Sequence, residues 1–154
     1  MARHHRNPRC AVNVALEVIG DPWSLLVVRD IVFYGKHSFR EFLASEEGIT
    51  TSVLADRLAT LVAQGVLTKR RSPIDRRQQD YELTEKGLSL IPVLIDLGTW
   101  GAQYGPQVTK HETWDHEARH DPTALRNLVR DTVMAGGSAF RGPNSVLQRL
   151  ELKA

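Results

Sequence analysis

The chain has 154 residues, 42% of them apolar and 25% charged, which suits one packed, water-soluble domain with appendages. No apolar run is long enough to span a bilayer. The basic start "MARHHRNPRC" lacks the apolar stretch of a secretory leader, so the expected location is cytoplasmic. A single cysteine excludes an internal disulfide framework and a cysteine-based zinc site; with a net charge of only +2, a nucleic-acid surface must come from local clustering.

Residues 1–9 read as a flexible arm. From Cys10, "AVNVALEVIG" sets Val12, Ala15, Leu16 and Ile19 at helical spacing and ends at Gly20. In "DPW", Asp21 can cap a second helix with Pro22 at its first position. Trp23 to Tyr34 is apolar almost all round, so this helix is expected at the domain centre, with Arg29 and Asp30 marking an edge near solvent or a partner. After Gly35, Ser38 and Glu41 form a capping-box pattern for a short helix from Phe39 to Ser45. "EEGIT" makes a tight turn in which Gly48 can be left-handed, and Thr50 caps a helix running to Gln64. Two helices joined by a brief glycine-containing turn fit a helix-turn-helix.

On the second of these helices Leu54, Leu58, Leu61 and Val62 form the inward stripe. Ser52, Asp56, Ala59 and Ala63 lie opposite, with Thr51 and Ala55 at the margins. Such a slim outer face with hydroxyls at its first turn suits a major groove; it also suits an ordinary amphipathic surface helix. "VLTKRRS", "PIDRRQQ" and "DYELT" then read as strand, tip and returning strand, which makes the whole a winged helix. Lys69, Arg70, Arg71, Arg76 and Arg77 place five cations within nine residues. That is either a solvated face or a phosphate and minor-groove contact, with Gln78 beside it.

A long helix is expected from Thr84 to Tyr104, bent at Pro92. One apolar stripe runs through Leu88, Ile91 and Ile95, a second through Leu90, Leu94, Leu97 and Tyr104. The second needs either another copy of the chain or cover from residues 121–154. Residues 105–122 read as a polar loop, "DPTALRNLVRDTVMAG" as one further helix capped by Asp121, and the last stretch as extended.

In order and spacing, "EVIGDPWSLLVVRDI", "FREF", "GITTSVLADRL", "GVLTKR", "YELTEKG" and "LIPVLIDLGTWG" resemble the HxlR-type winged helix-turn-helix transcription regulators across about 10–108. The "DRR" of the tip is similar to MarR-type wings. The resemblance implies a mainly α fold with a small β-hairpin wing and a long C-terminal dimerisation helix. It further implies a recognition helix at Thr50–Gln64, a wing at Arg70–Tyr81, and a homodimer built through the N-terminal region and the long helix. The expected interface is Val12, Leu16, Leu90, Leu94, Leu97, Trp100 and Tyr104. Thr51 and Ser52 stand where many members have proline and lysine, and "SPIDRRQQD" replaces a proline-rich tip. Residues 109–154 lie outside the resemblance and form a C-terminal extension.

Expected DNA contacts are Thr50, Thr51 and Ser52 at a positive helix end, with Ser38 and Arg40 on the backbone and the wing residues Lys69, Arg70, Arg71, Arg76, Arg77 and Gln78. Arg57 either reaches phosphate or pairs with Glu41 or Asp56. Cys10 is either a small buried hydrophobe or a regulatory thiol beside a helix start and Arg3, Arg6 and Arg9; some relatives sense oxidants with a cysteine at this place. His111, His116 and His120 cluster without a hydrolase signature, and no metal or cofactor is expected. The expected function is a homodimeric, sequence-specific DNA-binding regulator, a repressor of a pseudo-palindromic operator, responsive to a small molecule or to Cys10. The alternative is a protein-interaction module reusing the fold; an enzyme is not expected, because Cys10 lacks a readable base.

Overall fold

The computed structural model describes residues 7–154. Most of the arm expected over 1–9, with Arg3, Arg6, His4 and His5, lies outside the described residues; residues 7–9 form a turn in which Cys10 N–H donates to the Asn7 carbonyl at 3.2 Å. The helices α1 (Ala11–Ile19), α2 (Ser24–Tyr34), α3 (Phe39–Leu43) and α4 (Thr51–Ala63) precede an antiparallel hairpin of β1 (Leu67–Arg71) and β2 (Gln79–Leu83). There follow α5 (Glu85–Leu88), α6 (Ile91–Tyr104), α7 (Glu112–His120), α8 (Pro122–Met134) and α9 (Val146–Glu151). No single described helix is long and apolar enough to cross a membrane.

α2 is the central helix, as its composition implies. Val28 and Val32 are fully buried and Ile31 nearly so, and they share one core with Phe42, Leu54, Leu58, Leu61, Ile91 and Ile95. At its start the Asp21 carboxylate accepts from the N–H groups of Trp23 and Ser24 at 2.8 and 2.9 Å, which satisfies donors that a helix end leaves unpaired. Asp30 corrects the sequence reading. Instead of marking an exposed edge it is 3% exposed, and it accepts from Arg29 at 2.6 and 3.1 Å, from Lys36 at 3.3 Å and from the Ser45 hydroxyl. A buried carboxylate is tolerable only when so surrounded, and here it ties α2 to the turn between α3 and α4.

The wing is better founded than a bare hairpin. Tyr81 N–H donates to the His37 carbonyl at 2.7 Å, and Ser38 bridges Asp80, so the chain entering α3 serves as a third edge of the sheet. Behind it, Thr84 donates to the carbonyls of Gly65 and Val66, and a Cβ on Gly87 would sit 2.3 Å from the Val66 oxygen. Only glycine allows that approach, which gives "LTEKG" its structural content.

The expected single helix over Thr84–Tyr104 is two. It breaks at Ser89 and Leu90, and Pro92 lies in the first turn of α6, where its missing N–H costs nothing. The C-terminal extension departs most from expectation, with three helices instead of one. α7 presents just Trp114 and Ala118 inward, too thin a stripe to read against so many polar neighbours. α9, expected as extended chain, is capped by Ser145 and buries Val146 and Leu150. Ala139 and Phe140 donate to the carbonyls of Val32 and Phe33, both at 2.9 Å, while Arg126 grips Asp96 at 2.8 and 2.9 Å. The extension is thereby joined to α2 and α6.

Candidate nucleic-acid interface

α3 and α4 are set by their caps. Ser38 and Glu41 complete the capping box: the Ser38 N–H and hydroxyl donate to the Glu41 carboxylate at 2.8 and 2.9 Å, and Ser38 Oγ accepts from Glu41 N–H at 3.3 Å. Ser38 is buried, and its hydroxyl is committed to this cap. Arg40, two residues on, is exposed and has no ion pair with any described residue.

Gly48, at φ +70°, turns the chain into Thr50, whose hydroxyl accepts from Val53 N–H at 3.4 Å. Thr51, Ser52, Ala55, Asp56, Ala59 and Ala63 are all exposed, so α4 presents a slim face bearing hydroxyls at its N-terminal turn. Arg57 is held between two carboxylates, bonded to Asp56 and 3.4 Å from Asp21. Asp56 is one of the partners its sequence position suggests and Glu41 is not a partner, while Asp21, 36 positions back by the numbering, has no local signal in the sequence.

Asp21 and Glu41 sit below their ordinary carboxylate values. Burial pushes Asp21 up, but bonds from Ser24 and Trp23 and the Arg57 charge outweigh it. Burial likewise raises Glu41, and donors from His37 and Ser38 outweigh it. Both bonds therefore stabilise the fold above the ordinary carboxylate range and are lost as pH falls through the lowered folded values. Thermal unfolding should be nearly flat from pH 7 to about 5 and decline below about pH 4. Glu41→Gln should blunt that decline; an unchanged acid limb would count against the assignment.

On the wing, Arg70 pairs with Glu82 across the strands, and the Lys69 ammonium lies 5.9 Å from the centre of the Tyr81 ring. Arg71, Arg76 and Arg77 are exposed and make no ion pair with any described residue. Gln78 closes the tip through its backbone, accepting from Ser72 N–H at 3.0 Å and donating to the Asp75 carbonyl at 2.9 Å. The five clustered cations thus divide, among the described residues, into two occupied and three free.

A second surface is apolar. α1 has no buried residue, with Val12 at 66% and Leu16 at 44% exposure, and on α6 Leu97, Trp100 and Tyr104 are 51%, 65% and 64% exposed. Leu94, expected on this surface, is instead buried in the protomer's own core, and Leu90 is half-buried against it. α6 is packed by α2, α7 and α8 along that side, so the extension takes up part of the second stripe. Cys10 caps α1 by position, half-buried and without a side-chain hydrogen bond to any described residue.

No cluster of three or more potential metal-ligating His, Cys, Asp or Glu side chains occurs among the described residues. His116 and His120 stack at 4.0 Å, while His111 lies against Phe140. The gap under Trp23, Val27, Phe42 and Leu54 holds about 10 Å³, room for one water. An open cleft of about 490 Å³ between α6 and α7 is lined by Thr99, Gln103, Lys110, Asp115 and Arg119.

A capped helix pair followed by a basic hairpin, with a further helix behind it, defines a winged helix-turn-helix. Residues 18–109 match the HxlR-like helix-turn-helix family, and the chain belongs to that family. It is 35% identical over 103 residues to an uncharacterised HTH-type transcriptional regulator, Rv3095, of Mycobacterium tuberculosis, covering 67% of this chain. The chain spans only 64% of that relative's length. The crystal structure of PA1607, a putative transcription factor, superposes with a TM-score of 0.62 at 38% identity, covering 70% of this chain and 75% of that one. The redox regulator HypR in its oxidised form gives 0.57 at 29% identity, covering 64% of this chain and all of HypR.

Proposed function

We propose that this protein is a homodimeric, sequence-specific DNA-binding transcription regulator, acting in the cytoplasm as a repressor. It works by binding and not by turnover. The observation that carries the reading is the pairing of the slim, hydroxyl-bearing face of α4 with the free cations Arg71, Arg76 and Arg77 on the adjoining wing. A dimer presents two such helices about one DNA turn apart to a pseudo-palindrome. Thr51 and Ser52 contact base edges or phosphate, Arg40 holds the backbone, and Thr50 supports them as the cap. Lys69 and Arg70 flank the wing contact.

Control of binding falls to Cys10, at the head of the exposed helix α1, or to a small polar effector in the cleft between α6 and α7. The likeness to the redox regulator HypR supports the first. With one cysteine in the chain, oxidation links two subunits or captures a small thiol.

The test is fluorescence anisotropy with a duplex from the promoter beside the protein's own gene and a scrambled control, at several salt concentrations and with or without a thiol oxidant. Selective, salt-sensitive binding is expected. Arg76→Ala with Arg77→Ala should reduce the slope of log affinity against log salt by about 2, one for each phosphate left without its arginine. Absence of duplex binding at low salt would favour a protein-interaction module. An oxidant response that persists in Cys10→Ser would move control away from that thiol.

A further inference from the structure

At the end of the wing, Ile74 is 96% exposed, the most exposed of the large apolar side chains described. It is not on a loose loop. Its N–H donates to Ser72 Oγ at 3.3 Å, Ser72 N–H donates to the Gln78 carbonyl at 3.0 Å, and Gln78 N–H closes on Asp75 at 2.9 Å. The Asp75 carboxylate accepts from Arg77 N–H at 2.9 Å, so the tip's acid is engaged within the tip. The hairpin therefore holds one β-branched aliphatic outward, two and three residues from Arg76 and Arg77, which make no ion pair with any described residue.

We infer that Ile74 is an apolar minor-groove contact that makes the wing select A·T over G·C pairs. This rests on the duplex-binding reading above. A lone aliphatic beside cations that make no ion pair with any described residue matches the minor groove, whose rims are phosphates and whose walls are deoxyribose rings. Arg76 and Arg77 answer the rims and Ile74 the walls and floor. At the floor, A·T pairs present only acceptors, while G·C adds the guanine 2-amino donor. That amino group would be stripped of water against the isoleucine side chain with no acceptor in exchange, which disfavours G·C.

The experiment uses the full-length protein and a duplex that the wild type binds selectively. The wing-facing pairs are located by sugar protection that disappears in Arg76→Ala with Arg77→Ala. Those pairs are then made A·T, G·C or inosine·C; inosine lacks the 2-amino group and leaves the major-groove pattern unchanged. Wild type should bind A·T and inosine·C about tenfold more tightly than G·C, a typical single-pair penalty. Ile74→Ser, at a fully exposed position, should fold normally and keep the wild-type salt slope, yet bind all three duplexes within about twofold. Equal wild-type affinity for the three duplexes, or tenfold discrimination surviving in Ile74→Ser, would overturn the inference. Absence of any selectively bound duplex would be seen before the wing pairs are varied; it would overturn the duplex-binding reading and this inference with it.

Discussion

Trp100→Glu is expected to leave the proposed homodimer as a monomer and to abolish the proposed tight, selective DNA binding, without unfolding the protomer. The reason begins at α1. A nine-residue helix is too short to hold itself together in water, and this one buries no residue of its own chain. Something must cover Val12, Val14 and Leu16, and the aromatic pair Trp100 and Tyr104, with ring centres 5.4 Å apart, forms a second uncovered apolar group on α6. A tryptophan at the centre of such a patch commonly carries about 2–4 kcal/mol of association energy. A charge placed there should weaken dimerisation by at least about a hundredfold. Light scattering after gel filtration reads the mass, and circular dichroism checks the fold. Leu152, 82% exposed on the extension, supplies the control: Leu152→Glu should remain dimeric. If Trp100→Glu runs as a dimer, α1 and α6 are not the interface.

The largest effect on stability is expected at Asp30. Its carboxylate gathers Arg29, Lys36 and the Ser45 hydroxyl, and Arg29 also pairs with Glu47. These bonds lock the turn before α4 onto the central helix. Asp30→Ala leaves two cations without their shared counter-charge and opens a hole in the packing. Removing one partner of a buried ionic group typically costs about 3 kcal/mol. For a chain of this size that lowers Tm by roughly 6–12 °C. Asp30→Asn keeps an acceptor and the volume, and should cost less. A drop of under about 2 °C in Asp30→Ala would show that Arg29–Glu47 suffices by itself. Because Ser45 lies between α3 and α4, the alanine variant should also bind DNA more weakly at temperatures where it is still folded.

The local features were legible because each is decided by neighbours in sequence. Side-chain caps at Ser38, Thr50 and Asp121 formed as their spacing requires, and Gly48 took the left-handed conformation. The leucine stripe of α4 faced the core as its period dictates. The ordered motifs brought out the family across the region that its profile matches.

Other features depended on contacts between distant positions. Whether Asp30 is an edge or an anchor depends on Ser45 arriving beside it. Arg57 is paired with Asp21 as well as with its neighbour Asp56, and Leu94 is withdrawn from the surface by the packing around α6. α7 shows so thin an apolar stripe that only the aromatic cluster of Phe33, Trp114 and Phe140 makes it a helix worth forming. Sequence alone determined the capped helix pair, the basic wing and the family, since caps, turns and periodicity are properties of adjacent residues. Tertiary structure decided which charges stay free, which apolar stripes stay open and how residues 109–154 fold, because burial and ion pairing are settled by where distant segments meet.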